Sequence, residues 1–342
     1  MEACVIEDNG QLALVERPEP KAAGDIVKVR IEIVPMCTEF KELRAGRASE
    51  VLGHEAVGVV AEAGPLARSE PGQRVVAMPG NACGKCTTCL AGEHIYCRHQ
   101  RDLLTETGSS YGLASYAQYI IKPDHLLLPI PDDVSFRHAA LTCCGLGPSL
   151  NALGRMKAKE GQTLLVSGCG PVGLGAVVNA TARGIRVIVS EPNLFRAKLA
   201  LSLGAVTVVD DVTSDMADVV SAATEGEGAD CAIETSGVPG AAERAMAVLR
   251  PLGRMALLAW DVPVRLPPLI PQGLEVDGCW HWNHRRDCDL MWSTVRKSRA
   301  SLDKMLTHTF RLDQASDAMR LQETGNCGKV ILYPFGATSR PS

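Results

Sequence analysis

The stretch Thr163-Leu164-Leu165-Val166-Ser167-Gly168-Cys169-Gly170-Pro171-Val172-Gly173 decides the fold. A short apolar run, read as a buried strand, passes directly into G-x-G-x-x-G and then into a helical pattern that reaches Arg183. That order is the context a dinucleotide fingerprint requires. The turn at Gly168 is tight, and Gly170 lets a pyrophosphate approach the backbone. The helix that opens with Pro171, Val172 and Gly173 offers free N–H groups to its charge. Glu191 ends the next strand, 18 residues after Gly173. An acid there accepts hydrogen bonds from ribose hydroxyls and repels a 2′-phosphate, so NAD is expected over NADP. Arg196 and Thr235 are further candidate coenzyme contacts. The competing reading is an ordinary strand-to-helix turn with a surface glutamate.

Outward from this motif the alternation continues. Arg186 to Ser190, Val206 to Val209, Cys231 to Thr235 and Arg254 to Ala259 read as strands, and Asn193 to Leu203 and Gly240 to Leu249 as helices. Such alternation predicts a doubly wound parallel sheet. Upstream, Ile26 to Val34, Ala56 to Ala61 and Arg74 to Ala77 are β-rich runs broken by Gly and Pro, suggesting a twisted barrel or sandwich. Downstream, Val262 to Pro271 reads as a Pro-rich loop and Asp287 to Lys297 as a polar helix. The closing strand, Lys329 to Tyr333, is expected to return to the first domain. The chain therefore divides into residues 1–145, 146–280 and 281–342.

With 342 residues, two domains are expected. An apolar share of 46% against 22% charged is enough to build a core without disulfide staples. A net charge of −4 with no long basic run supplies no attraction to nucleic acid or an anionic membrane. Met1 to Asp8 lack the basic start and apolar stretch of a secretory signal, and no 18-residue apolar run occurs. The thirteen cysteines are then read as thiols and metal ligands in a reducing, cytoplasmic setting.

Cys83, Cys86, Cys89 and Cys97 form C-x2-C-x2-C-x7-C in a Gly-rich loop at about residues 80–100. Four thiolates in so short a span suit tetrahedral zinc, with no open position for a substrate and hence a structural role. Cys37, the run Gly53-His54-Glu55 and Cys144 are too scattered for spacing alone to make them a site. Taken singly, His54 reads as a satisfied buried histidine, and Cys143 beside Cys144 as small core residues.

Taken together these motifs resemble the medium-chain, zinc-dependent alcohol dehydrogenases, the family that includes sorbitol and threonine dehydrogenases. Gly53-His54-Glu55, followed by Gly58 and Gly64, is similar to that family's zinc signature, and the four-cysteine loop has its structural-zinc spacing. The stretch Gly228 to Gly237 also fits. The resemblance implies an α/β protein with a GroES-like β-barrel catalytic domain and a Rossmann coenzyme domain. It further implies two zinc ions per chain, NAD, and hydride transfer between NAD and a small alcohol or ketone. It implies a catalytic zinc on Cys37, His54 and Cys144, with Cys144 preferred over Cys143 by its interval to Asn151, and Glu55 as an occasional or indirect zinc partner. One departure stands out. The family has Cys, a variable residue, Ser or Thr and then an acid, whereas this chain reads Cys37-Thr38-Glu39-Phe40. Either Thr38 keeps the proton-relay role across a missing residue or Glu39 replaces it. Homodimers or homotetramers are common in the family, and Val262 to Gly278 is a candidate edge for such pairing.

Trp280-His281-Trp282 lies where the coenzyme domain hands back to the catalytic domain. Indole faces there suit stacking on a sugar or cyclitol ring, pointing to a polyol, sugar or aminocyclitol. Packing between domains or an oligomer contact is the other reading. Two rival functions are a zinc-independent quinone or enoyl reductase of the same fold and a zinc-ribbon nucleic-acid-binding protein. The first generally lacks the three catalytic ligands, and the second needs a basic face.

Overall fold

A computed structural model describes residues 1–210, 215–260, 263–266 and 269–336. Thr163–Ser167 is buried along its whole length, as expected of a strand covered by helices on both faces. It lies inside a six-stranded, wholly parallel sheet. The order is Thr207–Val209, Arg186–Ser190, Thr163–Ser167, Ala229–Glu234, Leu249–Leu257, Glu275–Gly278. Numbered along the chain this is 3-2-1-4-5-6, the doubly wound order whose switch point lies between Thr163–Ser167 and Ala229–Glu234. The helices Pro171–Thr181, Leu194–Ser202, Met216–Ala223 and Ala241–Ala247 provide crossovers. The fifth strand begins earlier than the sequence suggests, because Ala229 already pairs with Leu249.

The first 145 residues form a mainly antiparallel sheet built on Ile26–Pro35, which pairs with Ala56–Ala63 and with Tyr119–Pro123. Register shifts near Lys28 and Ile31 bend this long strand. Arg74–Ala77 and Leu127–Pro129 extend one end of the sheet. At the other end, Lys329–Tyr333 pairs antiparallel with Val34 and Pro35 and parallel with Leu306–Arg311. The return of the chain to its first domain is therefore physical. The path is open, and among the described residues no pairing joins its two ends. Val262, Pro267 and Pro268 lie outside the described residues, and Leu269–Gln272 is a short helix rather than loop.

One buried cluster runs from Val57 and Val76 through Leu146 and Leu150 to Leu164 and Val178, so the two sheets share a core across their seam. Helix Gly147–Arg155 lies at this seam, and its Asn151 Nδ2 donates to the His281 carbonyl at 2.9 Å. No helix among the described residues is long and apolar enough to cross a membrane.

Candidate active site

Cys37 follows the end of Ile26–Pro35, His54 and Glu55 lead into Ala56–Ala63, and Cys144 precedes Gly147–Arg155. Pairing of the two strands and packing of the helix bring together residues that are far apart in the chain. One ligand atom from each of Cys37, His54, Glu55 and Cys144 lies within 4.8 Å of the others. His54 Nε2 is 3.2 Å from Cys144 Sγ. The His54 side chain keeps 40% of its exposure, so the cluster is open on one side. Hydrogen bonding to Cys144 draws the Cys37 thiol well below its usual range, and thiolate is the form that ligates a metal. Cys143 points away, its Sγ 3.8 Å from the Ala77 carbonyl, and burial pushes its thiol up.

Glu39 is buried, and both its oxygens are used. Oε1 meets His54 Nδ1 at 2.9 Å, while Oε2 accepts from the Cys37 backbone at 2.9 Å and from the Tyr116 hydroxyl at 3.1 Å. Burial is the largest influence and works against the carboxylate, but the hydrogen bond to His54, the imidazole charge and the backbone donors together outweigh it and hold Glu39 down at about 2. A carboxylate on Nδ1 fixes the tautomer and leaves Nε2 as the metal-facing nitrogen. Thr38 is exposed beside it. Glu55 is also committed, since Oε1 pairs with Lys329 Nζ at 2.8 Å and Oε2 accepts from the Cys144 backbone at 2.9 Å. The pair is fully buried, and although burial works against the ammonium, Glu55 together with the Cys37 and Cys144 thiols holds the Lys329 pKa above its usual value. The C-terminal segment braces the site twice more, with Gln322 Nε2 donating to the Cys37 carbonyl and the Met36 N–H to the Val330 carbonyl.

The second thiol set passes a geometric test for tetrahedral zinc. Recorded sulfur separations are 3.6 Å for Cys97 to Cys83, 3.8 Å for Cys86 to Cys97 and 4.0 Å for Cys83 to Cys89. A tetrahedron with Zn–S bonds of about 2.3 Å has edges of roughly 3.8 Å. All four cysteines are free thiols.

At the coenzyme turn, Gly168 adopts φ 87°, which favours glycine, and a Cβ on Gly173 would stand 1.9 Å from the Gly168 carbonyl oxygen. Gly170 caps helix Pro171–Thr181 and has open space where a side chain would be. Thr235 Oγ1 donates to the Gly168 carbonyl at 2.8 Å, tying the turn to the fourth strand. Glu191 sits under the same turn, accepting from Cys169 N at 2.7 Å and Asn193 N at 2.8 Å. Arg196 lies in the first turn of the next helix, its Nε 3.4 Å from the Cys327 carbonyl.

The aromatic return segment divides. Trp280 is part-exposed, whereas His281 and Trp282 are buried. Trp282 is a core residue packed so closely on Gly147 that a Cβ there would meet its ring at 2.5 Å. An indole with no open face cannot stack on a substrate, which removes Trp282 as a stacking surface.

Sequence reasoning missed Lys329, Tyr116 and a buried histidine cluster. His94 from the cysteine lobe lies 5.1 Å from His125 and 4.9 Å from His284, ring centre to ring centre. Burial first, and then mutual repulsion, lower His94 to about 4, and burial lowers His284 to about 4. Both folded values lie below the ordinary 6.5, so the unfolded chain takes up these protons first. Stability is then complete above pH 6.5 and drains as pH falls towards 4, by at most roughly 3 kcal/mol per ring. Thermal melts from pH 7 to 4.5 should show a shallower loss in a His94→Phe/His284→Phe variant than in the wild type. Parallel curves would remove the cluster as the cause.

Comparison with known proteins identifies the family. Residues 23–132 match the alcohol dehydrogenase GroES-like domain, and residues 171–297 match the zinc-binding dehydrogenase family. Sorbitol dehydrogenase from Bacillus subtilis (strain 168) is 27% identical over 98% of this chain and 97% of its own length. L-threonine 3-dehydrogenase from Thermococcus kodakarensis is 30% identical over 94% of each chain. Among solved structures, an alcohol dehydrogenase from Thermus sp. ATN1 shares the fold, with a TM-score of 0.86 at 23% identity over 97% of this chain and 99% of that one. An NAD-dependent alcohol dehydrogenase superposes with a TM-score of 0.81 at 26% identity over the same shares. With both domain families matched in order and relatives aligned end to end, the chain belongs to the medium-chain, zinc-dependent alcohol dehydrogenase family and is a zinc- and NAD-using oxidoreductase.

Proposed function

We propose that this protein moves a hydride between NAD and the carbinol carbon of a secondary alcohol, specifically a polyol, sugar or aminocyclitol. The carrying observation is the convergence of Cys37, His54 and Cys144 on one partly open point. Glu55 lies in the same cluster but its oxygens are engaged by Lys329 and the Cys144 backbone, so we assign Cys37, His54 and Cys144 as the three protein ligands and the fourth position to the substrate oxygen. When bound, zinc there supplies Lewis acidity to the substrate oxygen and NAD accepts the hydride. Glu39 orients His54, the Gly168-to-Gly173 turn and helix N-terminus receive the pyrophosphate, and Glu191 receives the ribose hydroxyls. Arg196 and Thr235 flank that coenzyme site. Because both Glu39 oxygens are engaged, the proton relay falls to exposed Thr38.

Cys83, Cys86, Cys89 and Cys97 hold the second, structural zinc. The proposed division remains 1–145, 146–280 and 281–342. The sorbitol dehydrogenase relative supports a polyol substrate. Glu275–Gly278 ends the parallel sheet as an edge strand, which supports a homodimer or homotetramer formed there. A cytoplasmic location accords with the free cysteines.

Elemental analysis of the wild type and a Cys37→Ala/His54→Ala variant, beside NAD reduction over an alcohol panel, tests the reading. About two zinc ions per chain should fall to about one, with NAD reduction lost. One zinc in both proteins would move the reading to a zinc-independent reductase.

A further inference from the structure

Three aromatic side chains from separate segments meet beyond the carboxyl ends of the last two strands of the parallel sheet. Trp260 follows Leu249–Leu257, Trp280 follows Glu275–Gly278, and Tyr96 comes from the cysteine lobe. The two indoles stand at 84° with ring centres 4.5 Å apart, and Tyr96 stands at 74° to Trp280 at 6.2 Å. The Tyr96 hydroxyl accepts from the Trp280 backbone N–H at 3.0 Å, which fixes the corner and leaves the phenol's own proton free to donate. Trp260 is 63% exposed and Trp280 38% exposed, in a chain where aromatic residues are only 4%. Indoles left open at the end of a sheet where ligands bind call for an occupant.

His281, the next residue in the chain after Trp280, turns inward instead, and among the described residues its buried Nε2 has no hydrogen-bond partner. Tyr96 also borders an open cleft of about 480 Å3 whose walls include Thr87, Thr88, Arg98 and His99. Tyr96 thus links the open ring faces of the corner to a cleft that carries hydroxyl-binding groups. That mixture fits a ring carrying C–H bonds on its face and hydroxyls on its rim better than a flexible open chain, which loses more entropy on stacking.

We propose that Trp260 and Trp280, braced by Tyr96, form a wall on which the ring of a cyclic polyol stacks, with Trp260 as a specificity-determining residue. This rests on the proposed alcohol oxidation and narrows its substrate class.

The test compares zinc-loaded wild type with Trp260→Ala and Trp260→Phe. The probes are myo-inositol and scyllo-inositol as cyclic polyols, sorbitol as the open chain and benzyl alcohol as the aromatic ring. NAD reduction is followed together with probe-induced quenching of tryptophan fluorescence and size-exclusion elution. The expected result for Trp260→Ala is KM for a cyclic polyol raised about tenfold, with kcat and the sorbitol parameters nearly unchanged. Trp260→Phe should restore most of the loss, and quenching by the cyclic polyol should weaken in step with KM. A wild type that oxidises sorbitol but no cyclic polyol overturns the inference and leaves alcohol oxidation standing. So does a selective loss on benzyl alcohol alone. Equal losses on cyclic and open substrates together with a shift to monomer would assign the wall to a second copy of the chain and overturn it as well; equal losses without a shift would make it a structural support. No NAD reduction with any alcohol would instead count against the underlying function.

Discussion

Replacing Lys329 by methionine should lower stability by about 3–5 kcal/mol, the cost of leaving one member of a buried ion pair without its partner. Both side chains are fully buried, and Lys329 Nζ to Glu55 Oε1 at 2.8 Å is their mutual contact. Without the ammonium, Glu55 must either remain charged in an apolar interior or take up a proton, and burial already raises its pKa. The other carboxylate oxygen holds the Cys144 backbone, so the damage should spread to a proposed zinc ligand. A double Lys329→Met/Glu55→Gln variant removes both charges and should recover part of the loss, because the stranded charge rather than the missing pair is the main penalty. Thermal or urea unfolding of the three zinc-loaded proteins gives the comparison. A single variant within about 1 kcal/mol of the wild type would show that water or another group compensates Glu55, and the pair would lose its proposed structural role.

Local patterns revealed the half of the fold whose physics is local. A buried run, a glycine turn and a helix are all contained in Thr163 to Arg183, and observed strands such as Arg186–Ser190 match the predicted ones. The four-cysteine loop is also compact, so spacing alone suggested the zinc chemistry proposed for it. The proposed catalytic cluster is different. Cys37, His54 and Cys144 meet only because Ile26–Pro35 pairs with Ala56–Ala63 and a helix packs on the seam. No local signal carries that, and only the family resemblance joined them. Their supporting groups were less legible still. Tyr116 reaches Glu39 across 77 residues and Lys329 reaches Glu55 across 274, and a tyrosine or a lysine in a strand announces neither partner. Trp282, for which the sequence allowed either substrate stacking or packing between domains, was undecided for a related reason. In a polar run the sequence does not say which way an indole turns, and here Gly147 makes room for it inside the core.

Glu39→Asp should weaken zinc at the Cys37 and His54 site by about 10–100-fold while leaving the four-cysteine zinc in place, a split that shows as roughly one zinc lost per chain on mild chelation. The acid here stands two positions after Cys37, where the family pattern has it three positions after its cysteine. Glu39 nevertheless spans from the Cys37 N–H to His54 Nδ1, each at 2.9 Å. Aspartate is shorter by one methylene, roughly 1.5 Å, and cannot hold both contacts from the same backbone. Glu39→Gln keeps the reach but loses the charge. Its amide oxygen still accepts from His54 Nδ1, while its NH2 faces two donors, so an intermediate loss is expected. The ordering Glu above Gln above Asp is therefore a test of reach, and Gln below Asp would be the signature of charge alone. If Asp retains zinc as well as Glu, the imidazole is oriented by something other than this carboxylate. Glu39 would then be free of that orienting role, and Thr38 would no longer be left as relay by elimination.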